Sequence, residues 1–276
     1  MPIGVVAPSS TKEVEYTLAL AREEGVSVTA RGGGTSQSGQ TVNATLIVDC
    51  SKYLDHMLEL DVAGKRCVVE PGIVLDELNR QLRPHGLWFP VDISTASRAT
   101  IGGMVGNNSC GARSLRYGNT RENVLSIDAI MADGLSGHFG PAARDLSDLP
   151  MNSPVVPLAR DLLGIAAANS REIETNVPKV QRRVGGYAGN GQDVGPTPSP
   201  RVVLRLIAGL GQLMHGFATA TVASKPDPLT KFDDFDGADP HRIATSGAAQ
   251  HARSLPYYRQ RVPSYHLDCA PTLGGA

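Results

Sequence analysis

The segment Arg31-Gly32-Gly33-Gly34-Thr35-Ser36-Gln37-Ser38-Gly39-Gln40 places three adjacent glycines, several hydroxyls and a fixed cation directly after a strand-like stretch. Adjacent glycines expose backbone N–H groups and admit left-handed dihedrals, so such a loop can curl into a concave nest for an anion. Thr35, Ser36 and Ser38 add hydroxyl donors and Arg31 adds charge, which makes a phosphate or pyrophosphate the natural guest. The same run would also serve as a flexible surface loop. Neither named nucleotide motif fits. A Walker loop needs Gly-Lys-Ser/Thr, but Gly64-Lys65 is followed by Arg66. The dinucleotide fingerprint fails because Gln37 stands where its last glycine belongs, and Gly209-Leu210-Gly211 leads to Met214.

A second segment repeats the chemistry. Pro90-Val91-Asp92-Ile93-Ser94-Thr95 is followed by Thr100-Ile101-Gly102-Gly103-Met104-Val105-Gly106-Asn107-Asn108-Ser109-Cys110-Gly111. Small residues and donors again concentrate where a backbone could approach a ligand closely. Two such loops far apart in the chain point to one long ligand gripped at two places.

Together these residues resemble the flavin-binding domain of the vanillyl-alcohol oxidase / p-cresol methylhydroxylase superfamily. Within it they are most similar to the FAD-linked oxidases that include glycolate oxidase, D-lactate dehydrogenase and D-2-hydroxyglutarate dehydrogenase. The resemblance covers residues 5–140, including Asp49-Cys50-Ser51-Lys52-Tyr53, Glu70-Pro71-Gly72 and Arg113-Ser114-Leu115-Arg116-Tyr117-Gly118. It implies an FAD cofactor. Arg31, Gly32, Gly33, Gly34, Thr35, Ser36, Gly39 and Gln40 would wrap the pyrophosphate; Pro90, Asp92, Ser94 and Thr95 would line the flavin side. Thr100, Gly102, Gly103, Asn107, Ser109 and Gly111 would run along the ribityl chain and ring. Some family members attach flavin through a His in the first loop; Thr35-Ser36 stands in that region here, which implies non-covalent binding. The implied activity is oxidation of 2-hydroxy acids by hydride transfer to flavin, with an electron acceptor downstream. No catalytic base and no metal site is assigned. Two alternatives stay open: a catalytically inactive flavin-binding fragment, and a non-flavin protein using the loops for another anionic ligand.

The elements that must position these loops are marked by local punctuation. Ser10-Thr11-Lys12-Glu13 is a capping-box pattern, Val14, Leu18 and Ala21 recur at helical spacing, and Gly25 supplies the stop. Val26-Ser27-Val28-Thr29 reads as a strand, as do residues 5–8, 44–49, 57–60 and 67–70. Residues 75–82 read as a helix ending before Gly86, and residues 124–131 as a strand turned at Asp133-Gly134 into a partner over 136–139. Mixed strands and helices without strict alternation predict an α+β, two-lobed flavin-binding domain with mixed sheets flanked by helices.

Other residues carry less. Cys50, Cys67, Cys110 and Cys269 show no metal spacing. His85 reads as a cap near a helix end and His138 as a surface residue. His215, His241, His251 and His266 lack ligand spacing, and Asp233-Asp234-Phe235-Asp236 lacks the glycine and closing Glu of a calcium loop. With 26 basic and 27 acidic residues the net charge is -1, against a nucleic-acid or membrane-surface footprint. No apolar run is long enough to span a membrane, and cytoplasmic reduced thiols are expected.

Residues 1–187 hold 10 prolines and the 89 residues of 188–276 hold 9, so proline density nearly doubles. After Gly185-Gly186-Tyr187 family members run into a segment of Gly-Ser-Glu-Gly-Thr character, which Ala188-Gly189-Asn190-Gly191 does not match. The expectation is therefore an FAD-binding domain over 1–187, incomplete at both ends and lacking a substrate cap. Residues 188–276 would be an irregular tail, the product of truncation or a frameshift. Within it, residues 202–214 read as one apolar helix, and the chain beyond Ser224 as poorly ordered.

Overall fold

Helix α1 (Thr11–Glu23) starts at the cap that the sequence marks. In this computed structural model the described residues are 1–37, 41, 43–143 and 145–176, with the backbone of four short C-terminal strands. Ser10 Oγ accepts from the Glu13 amide at 3.3 Å, whereas the Glu13 carboxylate reaches back to the Ser9 amide, one residue earlier than the expected reciprocal bond. The helix ends on Gly25 at φ +63°, with Val26 N donating to Ala21 O and Gly25 N to Arg22 O, a Schellman closure. Val14, Thr17, Leu18 and Ala21 form its buried stripe.

That stripe covers a small parallel sheet in the order β1 (Gly4–Val6), β3 (Leu46–Asp49), β2 (Val28–Arg31). Parallel strands need crossover connections, and α1 supplies the one from β1 to β2, which flank β3 on either side. Val14, Leu18, Val48, Cys50 and Leu54 form this lobe's core, joined by Ile130 from the second lobe.

The second lobe is built on β4 (Met57–Asp61) paired with β5 (Arg66–Val69), and β7 (Val124–Ile130) paired with β8 (Ser136–Phe139). Helix α2 (Leu75–Leu82) buries Leu75, Leu78 and Leu82, and leads through a 3-10 turn to Gly86 at φ +67° and the short β6 (Leu87–Trp88). Helix α3 (Ile101–Asn107), the short α4 (Ser114–Tyr117), β9 (Pro141–Ala143), α5 (Val155–Ala168) and α6 (Ser170–Asn176) follow. The larger core joins β5 and β7 to α2, Phe89, Val91, α3 and α5. The architecture is α+β, as expected.

Four short C-terminal strands complete the described chain. β10 (Arg201–Val203) pairs with β9, so residues 202 and 203 are extended and not the start of a helix; residues 204–214 lie outside the described residues. The poor order expected of the chain beyond Ser224 concerns residues that lie largely outside them too. β11 (Phe217–Ala223) and β12 (Tyr265–Asp268) each pair antiparallel with both β5 and β7. A strand has two hydrogen-bonding edges, and β5 gives one to β4, so both segments address the same remaining edge. β13 (Ala270–Pro271) pairs with β6.

Candidate functional site

Strand β2 ends at Arg31, whose carbonyl accepts from Cys50 N at 3.0 Å, and the glycine loop leaves the first lobe from this anchored point. The loop lies against the second glycine segment. A Cβ on Gly32 would run into Thr100 Oγ1 and stand 3.5 Å from the Gly103 amide; one on Gly33 would run into the Arg98 carbonyl. Gly34, at φ +60°, crosses the Arg31 guanidinium so closely that a Cβ there would stand 2.8 Å from Nη2. The two loops are therefore one surface, and side chains are excluded where they touch. Arg31 Nε is buried and has no hydrogen-bond partner among the described residues. A buried unpartnered guanidinium nitrogen costs free energy unless an acceptor completes it, and a phosphate oxygen is a suitable acceptor. The cradle and the orphaned donor fit a bound pyrophosphate. Thr35 and Ser36 are half-buried in this loop; Gly39 and Gln40 lie outside the described residues.

The second segment is held in two ways. Thr100 is the N-cap of α3, its hydroxyl accepting from Gly103 N at 3.3 Å. Gly102 N donates to Pro71 O and Ile101 N to Ile73 O, both at 2.9 Å, which ties α3 to the Glu70-Pro71-Gly72 turn. That turn is fixed by the buried Glu70 carboxylate, which takes the His56 amide at 2.8 Å and lies 2.9 Å from His56 Nδ1. Residues 101–107, read from the sequence as a loop beside the ligand, are thus a helix; glycines hid its periodicity. It ends at Asn108, left-handed at φ 45°, whose Oδ1 accepts from Arg121 N. Ser109 N donates to Met104 O, and its carbonyl takes both the amide and the hydroxyl of Thr120. Asn107 is half-buried beside it.

Pro90 is buried, Asp92 and Thr95 half-buried and Ser94 exposed. Thr95 O caps the following turn, accepting from Arg98 N and Ala99 N at 2.8 Å each. The Asp92 carbonyl packs so tightly on Gly111 that no Cβ fits there. Asp92 Oδ1 accepts from Arg113 N at 2.8 Å. Sequence reasoning passed over Arg113 and Trp88 as site residues, although the guanidinium lies 4.8 Å over the indole; the lone tryptophan beside the second loop was the available signal. Of the described candidate residues, Gly32 meets Thr100 and Gly103, and Asp92 meets Gly111.

Two of the titratable groups displaced from their ordinary values are Cys50, whose amide meets the Arg31 carbonyl, and His138. Burial pushes the Cys50 thiol up, which leaves it an inert core residue. The hydrogen bond that its Nδ1 donates to the Asp128 carboxylate holds the His138 imidazole above its usual value on the β7–β8 hairpin. Among the described residues no cluster of His, Cys, Asp or Glu is arranged to hold a metal, and no helix is long and apolar enough to cross a membrane.

Fold and site thus have the character of a nucleotide-cofactor-binding module, with two glycine-rich backbone segments face to face beside an unpartnered guanidinium nitrogen. Residues 2–138 match the sequence profile of the FAD binding domain family, and this part of the chain belongs to that family, with FAD as its cofactor. A D-2-hydroxyglutarate dehydrogenase of Pseudomonas putida is 33% identical over 68% of this chain and 19% of its own length. The glycolate oxidase subunit GlcD of Bacillus subtilis is 34% identical over 53% of this chain and 32% of that protein. A D-lactate dehydrogenase of Archaeoglobus fulgidus is 38% identical over 47% of this chain and 29% of that protein. The chain spans less than a third of the length of each of these relatives.

Proposed function

We propose that the chain is the flavin-binding module of an FAD-dependent oxidoreductase acting on small 2-hydroxy acids, with the flavin held non-covalently. The observation that carries this reading is the contact of Gly32 and Gly33 with Thr100 and Arg98, beside the unpartnered Arg31 Nε. The names of the similar proteins support the substrate class.

In this reading Arg31 with Gly32, Gly33, Gly34, Thr35, Ser36, Gly39 and Gln40 gives the pyrophosphate N–H, O–H and guanidinium donors. Pro90, Asp92, Ser94 and Thr95 flank the ring, and Thr100, Gly102, Gly103, Asn107, Ser109 and Gly111 follow the ribityl chain. FAD, when bound, supplies a two-electron acceptor for the substrate hydride. The chain's own residues bind it, orient it and keep water from one side of it; we assign no proton-transfer residue. Residues 1–187 are the working unit in this reading, and Cys50, Cys67 and Cys110, outside any disulfide, suit a cytoplasmic location.

Purified chain reconstituted with FAD tests it. The expected protein is yellow, releases its flavin into the supernatant on acid precipitation, and bleaches anaerobically with D-lactate, glycolate or D-2-hydroxyglutarate. Yellow protein that no 2-hydroxy acid bleaches would assign the alternative, a module that holds flavin without turnover. Colourless protein that FAD cannot reconstitute would defeat the reading altogether.

A further inference from the structure

We propose that Arg113 is a positioning residue that locks two flavin-lining segments, 90–95 and 109–111, into one rigid jaw. The proposal rests on the flavin reading above and concerns how the site is held ready.

The jaw closes around two contacts on opposite sides of Arg113. Its backbone N–H donates to Asp92 Oδ1 at 2.8 Å, and its Nε stands 3.8 Å from Asp92 Oδ2. Its guanidinium lies over the Trp88 ring, 4.8 Å from the centroid. Trp88 is the last residue of β6 and runs directly into the buried Phe89 and Pro90, so the stack pins the entry of segment 90–95 while Asp92 pins its middle. The facing segment is tied at the same place. Gly111 has no room for a Cβ against the Asp92 carbonyl, and its N–H donates to Ser114 Oγ at 3.0 Å. Tyr117 closes the far edge of the indole at 5.5 Å and 88°.

The Arg113 side chain is 52% exposed, and its partner carboxylate 35%. An ion pair so open to solvent adds little to global stability. What it can do is hold two loops in register before the ligand arrives, which removes ordering cost from binding. Arg suits this better than Lys because its planar fork stacks on the indole while facing a carboxylate.

Trp88 is the sole tryptophan of the chain, so its emission reports this cluster alone. The full chain, wild type, Arg113→Met and Arg113→Lys, is titrated with FAD while Trp88 emission and flavin fluorescence are followed, and the apo proteins are melted. Arg113→Met should shift apo Trp88 emission to the red, as the ring face is uncovered. It should weaken FAD binding about fivefold, with the apo melting temperature unchanged, and Arg113→Lys should recover part of the affinity. Wild-type affinity in Arg113→Met would overturn the proposal. So would an apo melting temperature that falls along with affinity, since that assigns Arg113 to fold support. If the wild type takes up no FAD, the flavin reading itself fails; the apo emission shift still shows whether the Arg113–Trp88 stack exists.

Discussion

Single glycines in this chain are required for two different reasons, and the difference can be measured. Gly25 sits at φ +63° with open space around its α-carbon, so only conformation demands it. Gly25→Ala should cost about 1 kcal/mol in urea unfolding and leave FAD affinity unchanged. Gly33 and Gly111 are demanded by space, since a Cβ would strike the Arg98 or the Asp92 carbonyl. Backbone must move to admit a methyl there, and overpacking of this kind costs about 1–3 kcal/mol. Gly33→Ala and Gly111→Ala should therefore lose FAD affinity as well as stability, read by flavin titration beside urea melts. An undiminished FAD affinity in both would mean that the loops' contact is unrelated to the cofactor. His138 offers a pH test at the same scale. Its folded-state pKa is raised by the hydrogen bond to Asp128, so the protonated imidazole stabilises the hairpin. That contribution is fully present below the unfolded-state pKa and is lost as pH rises through the higher folded-state value. The pair is open to solvent, so the advantage of wild type over His138→Gln should be about 0.3 kcal/mol at acidic pH. It should vanish above that folded-state value in pH-dependent thermal melts.

Elements were legible where their signals were local. Helix α2 runs over the residues that its periodicity marks, and β8 likewise, because a leucine stripe and a Gly134 turn need no tertiary information. Helix α3 was not legible. Its glycines at 102, 103 and 106 carry poor helix propensity, and it is held by tertiary bonds that its first amides donate to the Pro71 and Ile73 carbonyls, which no local pattern announces. The same holds for the site. The glycine loops were visible as composition, whereas Arg113 over Trp88 depends on a chain crossing that brings β6 and α4 together. Residues 202 and 203 show the converse error, an apolar run whose extended state is set by the partner strand β9.

At the scale of the whole molecule, the loop after β2 belongs to the small parallel lobe and residues 90–111 to the larger one, with Ile130 linking their cores. A ligand held by both loops contributes its binding free energy to the folded state of both lobes. FAD should accordingly raise the melting temperature with a stabilisation near 1.4 kcal/mol for each tenfold excess over its dissociation constant. Stripping the flavin should reverse that shift. Parts of the cofactor then separate the two grips. In the proposed reading the Arg31 loop takes the pyrophosphate and residues 109–111 the ring side, so ADP, which lacks the flavin ring, should return only a fraction of the FAD shift. Gly33→Ala removes the contact that shapes that loop and should abolish the ADP shift. Gly111→Ala lies at the ring-side segment, so ADP should still stabilise it while the additional increment from FAD is lost. Thermal shift titrations of the two variants with the two ligands give four results, and only this pairing assigns one end of the cofactor to each lobe. Equal losses with both ligands in both variants would mean that the loops collapse as a unit, and the division of labour between the lobes would not hold.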